Sequence, residues 1–186
     1  MKKAGRLCLK CMGKFEEYVS MTMMAVTLLV TVVNVFARYV LRNSLPWSQE
    51  VSGIAWTWAV MLGISWAYRT NLHMGIDLLV QKVGPRAKRV LFIITYIILT
   101  VAFVFMLYMS IELTLKGGYK LTNYFKLPYW VKYISAIIAF FNMLVYSVRF
   151  IYYAIREPGK FVESVSINGG GLDDFDAKTG EGAETA

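Results

Sequence analysis

The chain has 186 residues, of which 57% are hydrophobic, and it combines a mean hydropathy of +0.49 with a formal net charge of +8. Soluble domains of this length have a smaller apolar fraction, so these values exclude an ordinary water-soluble core. The apolar residues form continuous runs and do not alternate with polar residues, so they predict membrane-spanning helices rather than strands.

Four stretches contain no charged residue and no histidine: 18–37, 51–68, 90–111 and 133–148. Each approaches the roughly 20 residues that a helix needs to cross the hydrocarbon of a bilayer. The sequence therefore predicts an all-α integral membrane protein with four transmembrane helices. The predicted spans cover about residues 18–40, 50–69, 86–115 and 129–155, within a transmembrane domain of residues 18–155.

The distribution of basic residues predicts the orientation. Five of them lie in the amino-terminal lead of residues 1–17, and five more lie in the connection between the second and third spans. Because basic residues concentrate in the cytoplasm, we expect both termini on the cytoplasmic side of the membrane. The same residues favour anionic lipid headgroups, and no aromatic platform among them predicts binding to nucleic acid.

The lead contains a C-x-x-C pair, Cys8 and Cys11. A zinc site needs two further ligands, and the sole histidine, His73, is distant in the sequence. We interpret the pair as two reduced thiols, with palmitoylation or a zinc site shared between chains as alternatives. No metal and no cofactor is predicted for this chain.

Polar residues recur at helical spacing in the first and fourth spans. Stripes of this kind are costly in lipid, so they should face protein or a hydrated cleft. The charged residues stand near helix ends, which favours hydrogen bonds between helices over an ion path. The stripes are Thr27, Thr31, Asn34 and Arg38 in the first span, and Ser135, Asn142, Tyr146 and Arg149 in the fourth.

The first connection leads into the second span at Trp47, an interfacial aromatic, and Glu50. In the first turn of a helix the carboxylate of Glu50 meets the positive end of the helix dipole. Pairing of Glu50 with Arg38 or Arg42 is an alternative that would hold the first hairpin together.

Small residues recur every fourth position in the second span, at Ala55, Ala59, Gly63 and Ala67. Rows of small residues let a second helix backbone approach closely, which is how helices associate in lipid. We interpret this row as a helix-docking groove for a partner.

A short amphipathic helix is predicted at about residues 74–83, because Ile76, Leu79, Val80 and Val83 share one face. It should lie along the membrane surface and end at Gly84 and Pro85. The cytoplasmic tail of residues 156–186 is rich in glycine and acidic residues, and its composition predicts disorder.

No nucleophile with a neighbouring base and no buried carboxylate pair can be recognised, so the chain is not expected to be an enzyme. The residues from Trp47 to Asp77 resemble the small membrane subunit, DctQ-like, of tripartite ATP-independent periplasmic (TRAP) transporters. The matching letters are W-S-Q-E at Trp47 to Glu50, the run from Gly63 to Arg69, and N-L-H-M-G-I-D ending at Asp77.

That resemblance implies a subunit of the bacterial inner membrane that braces the scaffold of a large membrane permease subunit. In such systems a periplasmic substrate-binding protein delivers an organic acid, and the large subunit carries out sodium-coupled uptake. The positions that it marks for helix anchoring or subunit contact are Trp47, Glu50, Arg69, His73 and Asp77.

An alternative from another class is a self-sufficient four-helix exporter of the small multidrug type, acting as a homodimer. Such a protein needs a glutamate within the membrane, and the candidates, Glu50 and Glu112, both lie near helix ends. A membrane anchor without a transport role is a third hypothesis. The substrate itself is not predicted from this sequence.

Overall fold

The computed structural model describes residues 2–43, 45–70 and 85–156. Four α-helices make up most of these ranges: α1 (Lys2–Tyr39), α2 (Pro46–Arg69), α3 (Pro85–Gly117) and α4 (Trp130–Arg156). The remainder of these ranges consists of turns, with one isolated β-bridge between Leu121 and Pro128. The prediction of an all-helical protein is confirmed.

Three helices are long and apolar enough to cross a membrane, over Met12–Tyr39, Ile93–Gly117 and Trp130–Tyr152. Within the described ranges α2 is not among them, although its 24 residues are sufficient in length. Four of the five tryptophans lie in α2, together with serines and glycines, and these residues lower its hydropathy.

The start of α2 differs from the sequence expectation. The helix begins at Pro46, whose fixed φ and missing N–H suit the first helical position, and not near residue 50. Ser48 therefore lies inside the first turn, where its hydroxyl donates to the Leu45 carbonyl at 2.6 Å.

Several predictions fall outside the described residues. These are the interfacial helix of residues 74–83, the positions His73 and Asp77, and the tail beyond residue 156. Cys8 and Cys11 lie within the backbone of α1.

The described parts of residues 1–64 and 106–139 form one compact unit. Its buried positions include the charged residue Glu16, but most are small or aliphatic, among them Ala37, Ala55, Ala59, Leu62, Ser135 and Ala139. Backbones approach closely at such positions, and Trp58 adds a bond from its Nε1–H to the Val131 carbonyl at 3.0 Å.

The described parts of residues 65–105 and 140–186 form the second unit. Its core is aromatic: Phe150 stacks on Tyr96 with ring centroids 4.9 Å apart, and Tyr68 meets Phe103 edge-on at 5.0 Å. A polar contact joins α3 to α4 in the same unit, because the hydroxyls of Thr100 and Ser147 lie 2.6 Å apart.

Candidate interaction site

The small-residue row of α2 lies against α1 of the same chain. Ala55 and Ala59 are buried, and the Ser20 hydroxyl donates to the Ala59 carbonyl at 2.9 Å. A Cβ atom added to Gly63 would lie 3.0 Å from the Ser20 Oγ, which is closer than most carbon contacts. The helix that packs along Ala59 and Gly63 is therefore α1 of the same chain. The small-residue row had been predicted to dock a partner. Docking of a partner at Ala67, which is half-buried, stays a prediction.

One face of α1 is buried, and it coincides only in part with the predicted stripe. Thr27 and Ala37 are buried and Asn34 is half-buried, whereas Thr31 and Arg38 are exposed. Farther toward the amino terminus, the buried face includes the side chain of Glu16, which is fully covered. The predicted stripe followed Asn34 to Arg38 with a step of four residues, whereas the buried face continues with a step of three to Ala37.

The hydroxyls of three stripe residues bond within their own helices. Thr27 donates to the Met23 carbonyl at 2.8 Å, and Thr31 donates to the Thr27 carbonyl at 2.7 Å. Ser135 is buried and donates to the Lys132 carbonyl at 2.7 Å. Bonds between helices were expected here, but a carbonyl one turn earlier is the nearest acceptor for a short hydroxyl side chain.

The other polar positions differ in their surroundings. In α4, Asn142 and Tyr146 are buried and Arg149 is half-buried. The Asn34 side-chain oxygen accepts the Leu45 N–H at 3.2 Å, so it holds the connection between α1 and α2. This connection also contains Arg42, which adopts a left-handed backbone with φ of 51°.

Glu50 joins the start of α2 to the connection between α3 and α4. Its carboxylate accepts the backbone N–H of Phe125 at 3.0 Å and that of Tyr124. Burial raises the pKa of Glu50, but hydrogen bonding to residues 122–125 together lowers it by more, so the pKa lies below its usual value. The two backbone donors give Glu50 a role beyond the helix dipole, and pairing with Arg38 or Arg42 does not occur within the described residues.

The connection that Glu50 holds is an ordered turn. Thr122 and Leu127 exchange two bonds: the Thr122 N–H donates to the Leu127 carbonyl at 2.8 Å, and the Leu127 N–H donates to the Thr122 hydroxyl at 2.9 Å. At its base Gly118 allows a close approach, because a Cβ there would lie 2.3 Å from the Thr114 carbonyl oxygen.

A cavity of about 750 Å³ opens beside Glu50. Asn34, Arg38 and Arg42 line it from α1 and the first connection, Gln49 lines it from α2, and Asn123 lines it from the later turn. Among the described residues neither arginine forms an ion pair, although Arg38 lies over the Tyr39 ring at 5.9 Å from its centroid.

Two family-matched positions lie at opposite ends of α2. Trp47 is half-buried in the first turn, and Arg69 is buried in the last turn, with 5% of its surface exposed. Burial of Arg69 inside this chain favours helix anchoring over contact with another subunit, and a cation there also complements the carboxyl end of the helix dipole.

Sequence reasoning overlooked three groups that the structure brings into contact or buries. Ser147 is one position from Tyr146 and lies on the buried face of α4, so helical spacing from Phe150 could have identified it. Glu16 shares a face with Ser20 and Thr27 by the same criterion. No local signal predicts that Trp58 donates to a carbonyl 73 residues away.

The sequence matches the family of tripartite ATP-independent periplasmic transporters, DctQ component, over residues 27–157, which is more than half of the chain. The chain belongs to the DctQ family. With its three apolar candidate spans, this DctQ-family chain is a multi-pass protein of the inner membrane, and its family is one of transporter components and not of enzymes.

Two relatives of this DctQ chain show how far the similarity extends along the sequence. It is 27% identical over 88 residues to the C4-dicarboxylate TRAP transporter small permease protein DctQ of Vibrio cholerae serotype O1, covering 47% of this chain and 38% of that protein. It is also 27% identical over 81 residues to the sialic acid TRAP transporter permease protein SiaT of Haemophilus influenzae (strain 86-028NP), covering 44% of this chain and 13% of that protein. The matched part thus spans less than two thirds of these relatives.

Proposed function

We propose that this chain is the small permease subunit of a TRAP-type secondary transporter. In this role it braces the scaffold of a large membrane permease subunit, and it does not itself catalyse a reaction. The match to the DctQ family over residues 27–157 carries the proposal. A periplasmic binding protein delivers an organic acid, and the sodium sites belong to the large subunit.

Exposed apolar surface supports a bracing role. Only 6% of the most apolar window of α1 and 17% of that of α3 are buried within the chain, against 39% for α4. α4 is therefore the most enclosed of the three spans, while α1 and α3 have wide faces left for lipid or for the helices of a partner.

In this proposal α2 is a fourth span, and both termini lie in the cytoplasm. The contact of Glu50 with Tyr124 and Phe125 supports this topology, because it joins the start of α2 to the connection that follows α3. Both connections then lie on the same side of the membrane. At about 1.5 Å per residue, a helix of the length of α2 is long enough to cross. The amphipathic helix that the sequence predicts for residues 74–83, outside the described residues, belongs to the opposite surface in this proposal.

Co-purification tests the subunit role. The full chain, with an affinity tag, is co-expressed with the large permease encoded beside it, and the membrane is solubilised in mild detergent. We expect the permease to be retained with this chain in equal amounts, and sodium-driven uptake in liposomes to require both. Recovery of this chain alone, as a homodimer that exchanges substrate, would refute the proposal and favour the small-exporter alternative.

A further inference from the structure

The cavity beside Glu50 has an excess of positive charge. Two guanidinium groups, those of Arg38 and Arg42, line it together with a single carboxylate. That carboxylate already accepts two backbone N–H groups, so the arginines have no anion of their own among the described residues. Its volume of about 750 Å³ is within the range of sites that hold small molecules, roughly 300–1,000 Å³.

The position of the cavity along α1 indicates its surroundings. The apolar span Met12–Tyr39 ends one residue after Arg38, at the depth where lipid headgroups meet the hydrocarbon. Val35 and Phe36, just before Arg38, are exposed apolar side chains, and Tyr39 has 75% of its surface exposed. A cationic cavity therefore adjoins a surface that suits acyl chains.

We propose that this cavity binds the phosphate of an anionic phospholipid through Arg38 and Arg42, with the acyl chains lying along the exposed face of α1. A guanidinium group presents paired N–H donors that match two oxygens of a phosphate. A phospholipid provides both the anion for the arginines and the apolar chains for α1, whereas an acidic side chain of a protein provides only the anion. This site concerns the chain itself and does not depend on the proposed subunit role.

Native mass spectrometry of the full-length chain tests the site. The purified protein is equilibrated with mixed micelles that contain phosphatidylglycerol and a diacylglycerol with the same acyl chains. We expect the wild type to retain phosphatidylglycerol and not diacylglycerol. Equal retention of the two would overturn the proposal, because the phosphate would then make no contribution.

A matched pair of double variants localises the binding. Arg38→Gln with Arg42→Gln should lower retention of phosphatidylglycerol by at least about tenfold, the effect of one lost charge-assisted hydrogen bond. Lys120→Gln with Lys126→Gln removes the same charge, and neither lysine lines the cavity. Lys126 also matches Arg42 in having a positive φ. The control should retain the lipid; equal losses in both variants would overturn the assignment to this cavity.

Two further experiments test whether the anion is free phosphate or a protein carboxylate instead of a phospholipid. Excess inorganic phosphate should not displace the lipid, because it lacks acyl chains, and full displacement would overturn the assignment to a phospholipid. A photoreactive residue in place of Asn43 should capture lipid in native membranes. Capture of a protein there would favour a partner's carboxylate and contradict the proposal. These outcomes are independent of transport, so they can be told apart from a failure of the proposed function.

Discussion

Glu50 links two segments that are 74 residues apart in the sequence. Its carboxylate faces the backbone N–H groups at the tip of the turn between α3 and α4, where no carbonyl of the turn satisfies them. Hydrogen bonds to an ionised acceptor are stronger than those between neutral groups. Bonds between Thr122 and Leu127 order the base of this turn, and the charge of one side chain adds to the order of its tip.

Glu50→Gln should loosen the turn of residues 121–127, because the amide replaces an ionised acceptor with a neutral one. Hydrogen exchange of the Tyr124 and Phe125 amides should become several-fold faster than in the wild type. Glu112→Gln is the matched control, because it removes the same charge at a residue that pairs with Lys116 one helical turn away. Equal exchange in wild type and Glu50→Gln would show that the carboxylate does not hold the turn.

The same contact should depend on pH. The pKa of Glu50 is lowered in the folded protein, so its contribution is fully present above the ordinary carboxyl pKa and is lost as the pH falls through the lower, folded value. After correction for intrinsic exchange rates, the turn should remain protected at neutral pH and lose protection only in acid. In Glu50→Gln this pH dependence should be absent; its persistence would assign the transition to another group.

Besides the aromatic contacts around Phe150, several of the contacts between the described helices depend on small or polar residues. Ser20 meets the α2 backbone beside Gly63, and the hydroxyls of Thr100 and Ser147 join α3 to α4. In lipid, apolar side chains gain little by leaving one apolar environment for another. Close backbone approach and hydrogen bonds consequently decide which helices associate.

Gly63→Leu should destabilise the packing of α1 on α2, because the first added carbon already lies 3.0 Å from the Ser20 Oγ. Overpacking of this kind costs about 1–3 kcal/mol. The control is Gly53→Leu, where the nearest atom to an added Cβ is the flexible Lys132 Nζ at 3.8 Å. Thermal unfolding of the two purified variants should differ, with the lower midpoint for Gly63→Leu; equal midpoints would contradict the close contact.

A double-mutant cycle of Thr100→Val and Ser147→Ala should reveal a coupling energy between α3 and α4. The two hydroxyls lie 2.6 Å apart, and such bonds between membrane helices average about 0.6 kcal/mol. Ser52→Ala combined with Thr100→Val provides the control, since the Ser52 hydroxyl bonds within its own helix. Additive effects of the first pair would mean that the bond makes no net contribution to stability.

At the scale of the whole molecule, the topology depends on α2. Three crossings would place the termini on opposite sides of the membrane, whereas the proposed fourth crossing would return the carboxyl terminus to the side of the amino terminus. Of the four described helices, α2 is the one without a window apolar enough for a candidate span, and Ala59 and Gly63 pack on α1. Its insertion should therefore depend on its neighbours.

Cysteine accessibility in intact cells checks this topology. The native thiols are first removed by Cys8→Ser and Cys11→Ser. Single cysteines at Asn43 and Asn123 should then react with a membrane-impermeant reagent from the periplasm, and single cysteines near either terminus should react only after permeabilisation. Reaction of the two connections from opposite sides would rule out the fourth span, and it would also contradict the contact of Glu50 with Tyr124.

The helices themselves were predictable from the sequence, because a charge-free run such as 90–111 must satisfy its backbone hydrogen bonds internally in lipid. The buried stripe of α4 through Asn142 and Tyr146 follows from helical spacing in the same local way. The sequence also identified Ala59 and Gly63 as a docking row, but small residues only permit close approach and do not select the helix that approaches. The tertiary structure decided that α1 occupies the row and that Glu50 holds a turn 74 residues away, because contacts between distant residues depend on how the helices are arranged.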